Sequence, residues 1–306
     1  MKIIVILGQT STGKSDFAVE VAKEIDGEII SADSRQVYRG MDLGTGKITK
    51  KEMRGVPHYL LDIASPSRVY TVNNFQKQAN KIIKEIIKKG KVPIICGGTG
   101  FYIDSITNET IFPNVPPNKK LRETLEKKSA GQLFIMLEKL DKERAKNIDK
   151  NNKVRLVRAI EIAKALGSVP KLKNKDETFS AGAENVSSKV LKIGLTLPPE
   201  ILKERITARL LSRIKKGMLK EVENLHRNGI SWKRLHNLGL EYRYVSLYLQ
   251  NKLKKDEMIE KLNTDIWHFA KRQKTWFKRD PSIIWFDPTN KDQKEKVLKE
   301  IKEFLK

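Results

Sequence analysis

Residues 8–15, which read Gly8-Gln9-Thr10-Ser11-Thr12-Gly13-Lys14-Ser15, have the types and spacing of a phosphate-binding loop. They fit the P-loop pattern G-x-x-x-x-G-K-[ST], follow the β-branched run Ile3–Leu7 and open a helical pattern, which is the context that this motif requires. In such a loop, backbone N–H groups and the positive end of the helix bind phosphate oxygens, while Lys14 adds a charge and the Ser15 hydroxyl can bind Mg²⁺. The motif predicts a diphosphate site and leaves the reaction open.

A candidate general base, Asp33, directly follows the second predicted strand, Glu28–Ser31. The carboxyl ends of parallel strands meet at one edge of a sheet, so this carboxylate is expected beside the P-loop, where it could accept a proton from an amine or a hydroxyl. The alternative is an aspartate that caps the next turn. Asp42 is a weaker candidate for the base because Gly40 and Gly44 around it indicate a loop.

A kinase or NTPase would need a clear acidic partner for its metal on a second strand. The candidate, Asp62, follows only three residues of suitable character, and a turn or capping role is favoured for it over a metal role. The histidines show no metal-ligand spacing; they are His58, His226, His236 and His268. Ser15 remains the predicted metal ligand.

Short β-branched runs alternate with helical patterns along much of the chain, and these elements must position the residues above. The predicted strands are Ile3–Leu7, Glu28–Ser31, Val92–Cys96, Val190–Leu197 and Ile283–Phe286. The predicted helices are Ser15–Ile25, Phe75–Lys89, Asp256–Lys278 and Ile201–Lys216, the last within a mostly helical stretch that runs to Leu225. A closing helix carries Val297, Leu298, Ile301 and Phe304 on one face. This alternation predicts an α/β fold with a parallel sheet flanked by helices, like that of P-loop NTPases.

Residues 121–165 differ, because their periodicity is helical throughout. Prolines precede this segment at positions 113, 116 and 117, and a polar stretch follows it at 171–188. The pattern predicts an all-helical insertion domain at 116–188. The core domain is then discontinuous, formed by residues 1–115 and 189–306 with the C-terminal helices.

The composition supports a globular chain and suggests its partner. Of 306 residues, 61 are Lys or Arg and 37 are Asp or Glu, a formal net charge of +24. Such an excess attracts polyanions and favours nucleic acid as the partner, although a solvated basic surface that binds nothing is the alternative.

The single cysteine, Cys96, excludes an internal disulfide and lies in an apolar run typical of a core. The run Ile3–Leu7 is too short to span a bilayer, so a cytoplasmic protein is expected.

Several segments together resemble the bacterial tRNA dimethylallyltransferases, also called isopentenyltransferases. Besides the P-loop they are DSRQVYRGMDLGTGK at 33–47, HYLLD at 58–62, GGTGFY at 97–102, RLVRAIE at 155–161 and KRQKTWF at 271–277. Their order matches that of the family across nearly the whole chain. The ordered set is highly specific, whereas no segment other than the P-loop is specific alone.

The resemblance implies that N6 of adenosine 37, beside the tRNA anticodon, attacks the first carbon of dimethylallyl diphosphate and expels diphosphate. The P-loop and Mg²⁺ then only stabilise charge on the leaving group. By match to the family, Asp33 orients and deprotonates the amine, Thr10 lies at the reaction centre, and Arg209 contacts the diphosphate, as does Arg205 one helical turn earlier. A spacer role for Thr10 and a solvated role for the arginines are the alternatives.

An adenosine has to leave its stack before it can react, so base flipping is expected. The resemblance assigns contacts with the flipped base or its neighbours to Asp33, Ser34, Arg35, Gln36 and Thr99. It assigns further tRNA contacts to Arg122, Val154, Arg155, Leu156, Val157, Arg158, Tyr242, Arg243, Lys271, Arg272, Gln273 and Trp276. Mixed basic and aromatic side chains suit a single-stranded loop, although core packing is the alternative for Trp276.

The chain departs from the family at a few positions. Gln9 stands where the family usually has Pro, which leaves the phosphate-binding N–H groups intact, and Lys142 also replaces a common Pro. Glu241 replaces the common Gly before Tyr242, which puts contacts at that loop in doubt.

The chain is expected to be a monomer. Two other classes share some of these features: a small-molecule P-loop kinase or adenylate prenyltransferase, and a P-loop RNA-binding protein without catalysis.

Overall fold

The computed structural model describes residues 2–108, 110–170 and 189–306. These residues divide into two compact units, with the first break after Thr107. One unit contains residues 2–107 and 189–306, and the other contains the described residues from 108 to 170. The predicted domain boundaries at 115 and 189 stay a prediction, and the polar stretch 171–188 lies outside the described residues.

A six-stranded sheet forms the centre of the first unit, with the strand order β3-β2-β4-β1-β5-β6. Every strand pair in it is parallel. The strands are β1 Lys2–Gly8, β2 Gly27–Ser31, β3 His58–Tyr59, β4 Val92–Gly97, β5 Lys189–Leu195 and β6 Ile284–Phe286. The predicted fold class is confirmed, and β3 is an additional edge strand that pairs with Ile29 and Ile30.

Helices cover both faces of this sheet. Alternate residues of β1 point to opposite sides, so each face presents apolar side chains that pack against helices. Ile3, Val5 and Leu7 pack in the apolar cluster of one face, and Ile4 and Ile6 pack in that of the other. The first cluster includes residues of α3 Val72–Lys88 and α4 Gly100–Thr107. The second includes residues of α1 Lys14–Glu24 and of the closing helix, α14 Lys291–Leu305. Between β2 and β3 lies the short helix α2 Lys50–Met53.

A third apolar cluster joins five helices that follow β5. They are α9 Pro199–Lys215, α10 Met218–Arg227, α11 Trp232–Leu238, α12 Leu240–Leu249 and α13 Lys255–Phe277. The helical stretch predicted at Ile201–Leu225 divides at Gly217, whose φ of 102° ends the α-helical path, and α9 agrees closely with the predicted helix Ile201–Lys216.

The second unit contains four helices with a core of their own. They are α5 Lys119–Glu126, α6 Ala130–Leu140, α7 Lys142–Lys146 and α8 Lys153–Leu166. Each begins after a side-chain cap, supplied in order by Asn118, Ser129, Asp141 and Asn152. Leu125, Leu133, Leu137, Leu156 and Ile160 are buried together in its core.

Within the described part of the chain, no helix combines the length and the apolar character that crossing a membrane requires. Cys96 is buried in the sheet, and burial raises the pKa of its thiol to about 12.

Candidate active site

The P-loop, Gly8–Ser15, connects the end of β1 to the start of α1. Its backbone takes left-handed conformations at Ser11 and Gly13, with φ of 64° and 92°. At Gly8, where φ is 141°, a side chain would collide with the Leu195 carbonyl oxygen on β5. Gly8 thus lies against β5, and the loop leads directly into the N-terminus of α1, the position at which backbone amides can bind an anion.

The Lys14 side chain turns back into its own loop, where Nζ donates to the Gln9 carbonyl oxygen at 2.5 Å. The Thr12 hydroxyl donates to the same oxygen at 2.8 Å. Burial, followed by the charge of Arg209, lowers the pKa of Lys14 to about 8, and this outweighs the opposing effect of Asp33. A diphosphate bound here would favour the charged form of Lys14 and so raise its pKa again.

Gln273 on α13 holds the P-loop from the opposite side. Its Oε1 accepts the Thr10 N–H at 2.8 Å, and its Nε2 donates to the Gly98 carbonyl oxygen at 2.9 Å. Gln9 also reaches α13, donating from Nε2 to the Ala270 carbonyl oxygen at 3.2 Å. Gln273 is therefore buried and bonded to the P-loop, and its predicted contact with tRNA stays a prediction.

Asp33 follows β2 at the carboxyl edge of the sheet, as predicted. Its Oδ1 accepts the N–H groups of Arg35 and Gln36 at 2.8 and 3.2 Å, so the capping interpretation is also correct. Oδ2 makes no hydrogen bond to the described residues. The Thr99 hydroxyl accepts the Ser34 N–H at 3.0 Å and thereby ties the segment after β2 to the one after β4.

An open cavity with about 660 Å³ of empty space lies at this edge. Seven predicted site residues line it: Thr10, Lys14, Ser15, Asp33, Gln36, Arg209 and Gln273. Thr45 adds a hydroxyl, and Ile29, Ile48 and Phe269 add apolar surface. The cavity thus combines the P-loop lysine, an arginine of α9, a carboxylate and an apolar wall.

Arg209 on α9 reaches the loop after β2, where Nη2 donates to the Gly46 carbonyl oxygen at 3.2 Å. The residue as a whole is exposed, and its guanidinium lies against Gly46 beside that of Arg213. Burial, followed by the charge of Arg213, lowers the pKa of Arg209 to about 10. Arg205 is exposed and does not line the cavity, so the structure does not bring it to the predicted site.

Glu221, which the sequence analysis missed, fixes the other end of that loop. Its carboxylate accepts the N–H groups of Asp42, Leu43 and Gly44 at 2.6–3.0 Å and the Tyr242 hydroxyl at 2.9 Å. Tyr242 is 1% exposed, and burial followed by the charge of Glu221 raises its pKa well above the usual value. The Tyr242 side chain is thus buried against this loop, and the predicted tRNA contact at this position stays a prediction.

Asp42 and Asp62 both bind Lys47, whose Nζ lies 2.6 and 2.5 Å from their carboxylates. Asp62 has a left-handed φ of 55°, in line with the predicted turn role. These pairings leave Asp33 as the carboxylate of the cavity. The described residues contain no group of three or more His, Cys, Asp or Glu side chains that could hold a metal ion.

The other predicted tRNA residues of the first unit differ in exposure. Lys271 and Arg272 are exposed on α13, whereas Trp276 is half-buried, with Nε1 donating to Asp104 at 2.8 Å. Arg35 and Arg243 donate to the carbonyl oxygens of the helix α11, at Leu238 and His236. Lys271 and Arg272 are thus the basic side chains here that are most available to a polyanion.

In the helical unit, the buried carboxylate of Glu161 binds two predicted tRNA residues. Arg122 donates to it twice, at 2.9 and 2.7 Å, and Arg158 forms a second ion pair. Burial works to raise the pKa of Glu161, but hydrogen bonds from Arg122, the Asn118 N–H and Arg158 lower it to about 2. Both arginines keep about a third of their side chains exposed.

The other four predicted tRNA residues of α8, at positions 154–157, lie on two sides of this helix. Val154 and Arg155 are exposed, Val154 at 80%, as a contact surface requires. The side chains of Leu156 and Val157 are buried in the core of the unit, and a tRNA contact at these two positions stays a prediction.

Comparisons with known proteins agree on a family. The model of the IPP transferase family matches residues 36–280. The tRNA dimethylallyltransferase 2 of Treponema denticola is 47% identical over 277 residues, 90% of this chain and 91% of that protein. The tRNA dimethylallyltransferase of Carboxydothermus hydrogenoformans is 40% identical, over 98% and 96% of the two chains.

Solved structures give the same result. The tRNA isopentenylpyrophosphate transferase of Bacillus halodurans matches with a TM-score of 0.74 and 33% identity, over 99% of this chain and 96% of that one. A eukaryotic dimethylallyltransferase, described as acting on tRNA, matches with a TM-score of 0.81 and 25% identity, over 99% and 79%. The family model matches residues 36–280, the relatives cover at least 90% of the chain, and the chain belongs to the IPP transferase family.

Proposed function

We propose that this chain transfers the dimethylallyl group of dimethylallyl diphosphate to N6 of adenosine 37, beside the anticodon of tRNA. One observation carries the proposal: Asp33 lines the same cavity as Lys14 and Arg209. A carboxylate beside two diphosphate-binding cations suits an amine nucleophile and a diphosphate leaving group. The names of the relatives supply the prenyl group and the tRNA.

The P-loop amides, Lys14 and Arg209 bind the diphosphate and stabilise the charge that develops as it leaves. The bond between the first prenyl carbon and the diphosphate oxygen breaks, and its electron pair stays with the diphosphate. N6 forms the new bond to that carbon and gives up one proton. This chemistry requires no phosphoryl transfer, so the pairing of Asp62 with Lys47 presents no difficulty.

Asp33 accepts the proton from N6. Its Oδ1 is held by two backbone N–H groups, which leaves Oδ2 to orient the amine and accept the proton. Thr10, whose N–H is fixed by Gln273, places its hydroxyl at the same cavity. We propose that this hydroxyl contacts the reacting groups.

Magnesium fits this site as an ion brought by the diphosphate. Mg²⁺ prefers oxygen ligands and commonly binds through few protein groups together with substrate phosphates. The Ser15 hydroxyl lies at the cavity beside Lys14 and would hold the ion. When bound, Mg²⁺ would neutralise charge on the leaving group.

For tRNA binding, we propose that the flipped adenosine is held by residues 33–36 and Thr99. Exposed basic side chains on α8 and α13, such as Arg155, Lys271 and Arg272, contact the surrounding nucleotides. A cytoplasmic location and a monomeric state belong to the same proposal.

Prenyl transfer tests this function directly. Purified protein is incubated with Mg²⁺, radiolabelled dimethylallyl diphosphate and either unmodified tRNA or AMP, and the products are analysed by mass spectrometry. We expect a five-carbon addition to A37 of tRNA. Transfer to AMP alone would indicate an adenylate prenyltransferase, and unmodified A37 with a folded protein would contradict the proposal.

The variant D33N tests the base. We expect it to slow transfer by about 10²- to 10⁴-fold, because an amide cannot accept the proton, while tRNA binding is retained. D26N is the matched control, since Asp26 is an exposed aspartate paired with Lys91. Unchanged transfer by D33N would favour a different base.

A further inference from the structure

A buried ion pair joins α9 to α12 next to the active site. Arg213 Nη1 lies 3.1 Å from Glu241 Oε1, and each side chain is only 11% exposed. Burying two charges costs desolvation free energy, and apolar residues of similar size often stabilise a protein as well or better. The stability of the fold alone therefore gives little reason for this pair.

The pair touches Arg209 through the loop after β2. Arg209 Nη2 donates to the Gly46 carbonyl oxygen, and Gln36 Nε2 donates to the same oxygen at 3.3 Å. A side chain at Gly46, where φ is 59°, would collide with the guanidinium groups of both Arg209 and Arg213. The two guanidiniums thus lie side by side on this glycine.

Two adjacent guanidiniums repel each other. The charge of Arg213 disfavours the charged form of Arg209, while Glu241 and Asp33 favour it. Burial raises the pKa of Glu241, and Arg213, ahead of Arg209, works to lower it. Glu241 therefore compensates mainly the charge of Arg213, which leaves the charge of Arg209 available at the cavity.

We propose that Arg213 and Glu241 are a positioning pair, which holds the guanidinium of Arg209 on Gly46 in the direction that binds the substrate diphosphate. Neither residue needs to touch the substrate. The inference rests on the proposed function for its ligand, and it adds two positioning residues to that site.

Removing one partner should be worse than removing both. In R213M, the buried carboxylate of Glu241 keeps Arg209 as its neighbouring cation and draws it away from the diphosphate. In E241Q, two uncompensated guanidiniums repel each other. In the double variant R213M/E241Q, neither conflict remains.

The experiment is a double-mutant cycle with Mg²⁺-pyrophosphate as the probe, measured by calorimetry and supported by steady-state kinetics. We expect R213M and E241Q each to weaken pyrophosphate binding and to raise KM for dimethylallyl diphosphate about tenfold, with KM for tRNA little changed. The double variant should bind pyrophosphate more tightly than R213M, because contacting residues are not additive. R227M, which breaks the exposed pair of Arg227 with Glu223, is the matched control and should bind like the wild type.

Wild-type pyrophosphate binding in both folded single variants would overturn the inference, as would losses that simply multiply in the double variant. If R213M does not fold, R213K decides: its single ammonium cannot contact Glu241 and lie on Gly46 together, so binding should weaken, and wild-type binding would overturn the inference. A wild-type protein that binds pyrophosphate with coupled losses but does not prenylate tRNA would sink only the proposed function. An active wild type with uncoupled variants would sink only the positioning pair.

Discussion

Lys14 shows at the residue scale how a P-loop can be prepared for an anion. Its ammonium donates to the Gln9 carbonyl oxygen, within the predicted phosphate-binding loop. Burial keeps the pKa of this lysine at about 8, well below that of a solvated lysine. A bound diphosphate would favour the charged form, so ligand binding and protonation of Lys14 are coupled.

Pyrophosphate affinity should therefore depend on pH with a defined sign. Below pH 8, Lys14 is charged in the free protein and the affinity is at its highest. Above pH 8 the free protein loses this proton, and binding must take it up again, so the affinity falls by up to about tenfold per pH unit. Calorimetry from pH 6.5 to 9.5, in buffers with different ionisation enthalpies, measures both the affinity and the proton uptake.

K14R is the informative comparison for this titration, because arginine stays charged throughout that range. The variant should lose the proton uptake above pH 8 even if its affinity is lower overall. Equal proton uptake in the wild type and in K14R would assign the titration to another group.

Among the elements, the long buried strands were predictable and the short edge strand was not. The run Ile3–Leu7 is apolar and β-branched, and it became the buried centre of the sheet. By contrast, β3 consists of His58 and Tyr59 alone, too few residues for any periodicity, and depends on pairing with β2. Gly217 is a visible stop signal within the helical stretch predicted at Ile201–Leu225, and the predicted helix Ile201–Lys216 ends before it.

Helix α13 shows which side chains of a predicted contact segment face the core. Ile266, Ala270, Gln273 and Phe277 are its buried residues at spacings of three and four, so Gln273 lies on the face toward the core. That periodicity was available in the sequence and would have separated Gln273 from exposed Lys271 and Arg272. The same kind of signal, a spacing of four from Arg209, points to Arg213, but nothing local indicates its partner Glu241, 28 residues away.

The Gln273 side chain of α13 bonds the P-loop backbone at Thr10. Although glutamine carries no charge, Q273L should therefore disturb the diphosphate site. Leucine leaves the Thr10 N–H and the Gly98 carbonyl without their partner, which should destabilise the protein by about 1–3 kcal/mol. We also expect KM for dimethylallyl diphosphate to rise about tenfold, because Thr10 loses its orientation. Thermal melting and steady-state kinetics measure the two effects.

Q250L is the matched control for this change. Gln250 is also partly buried and donates to a backbone carbonyl, that of Ser246, at the end of α12. It should affect melting without raising KM for dimethylallyl diphosphate. Equal kinetic effects of Q273L and Q250L would mean that general destabilisation, and not the P-loop contact, is responsible.

For the whole molecule, the net charge is +24, and the basic side chains behind it differ in their surroundings. Some are held by buried acids, as Arg122 and Arg158 are by Glu161, so changing them also alters the core of the helical unit. Others, such as Arg155 and Lys271, are exposed. Only the exposed cations offer a clean test of phosphate contacts, because their removal leaves no buried charge unpaired.

Binding of tRNA should weaken steeply as salt rises, since each phosphate neutralised by a cation releases counterions. R155M should weaken binding and reduce the slope of log affinity against log salt concentration by about one, the contribution of a single phosphate contact. R227M removes an exposed arginine of the first unit that is paired with Glu223, and it should leave the slope unchanged. Fluorescence anisotropy with labelled tRNA over a salt series measures these slopes. Equal slopes for R155M and the wild type would remove Arg155 from the interface, and a flat wild-type slope would show that the excess charge does not drive tRNA binding.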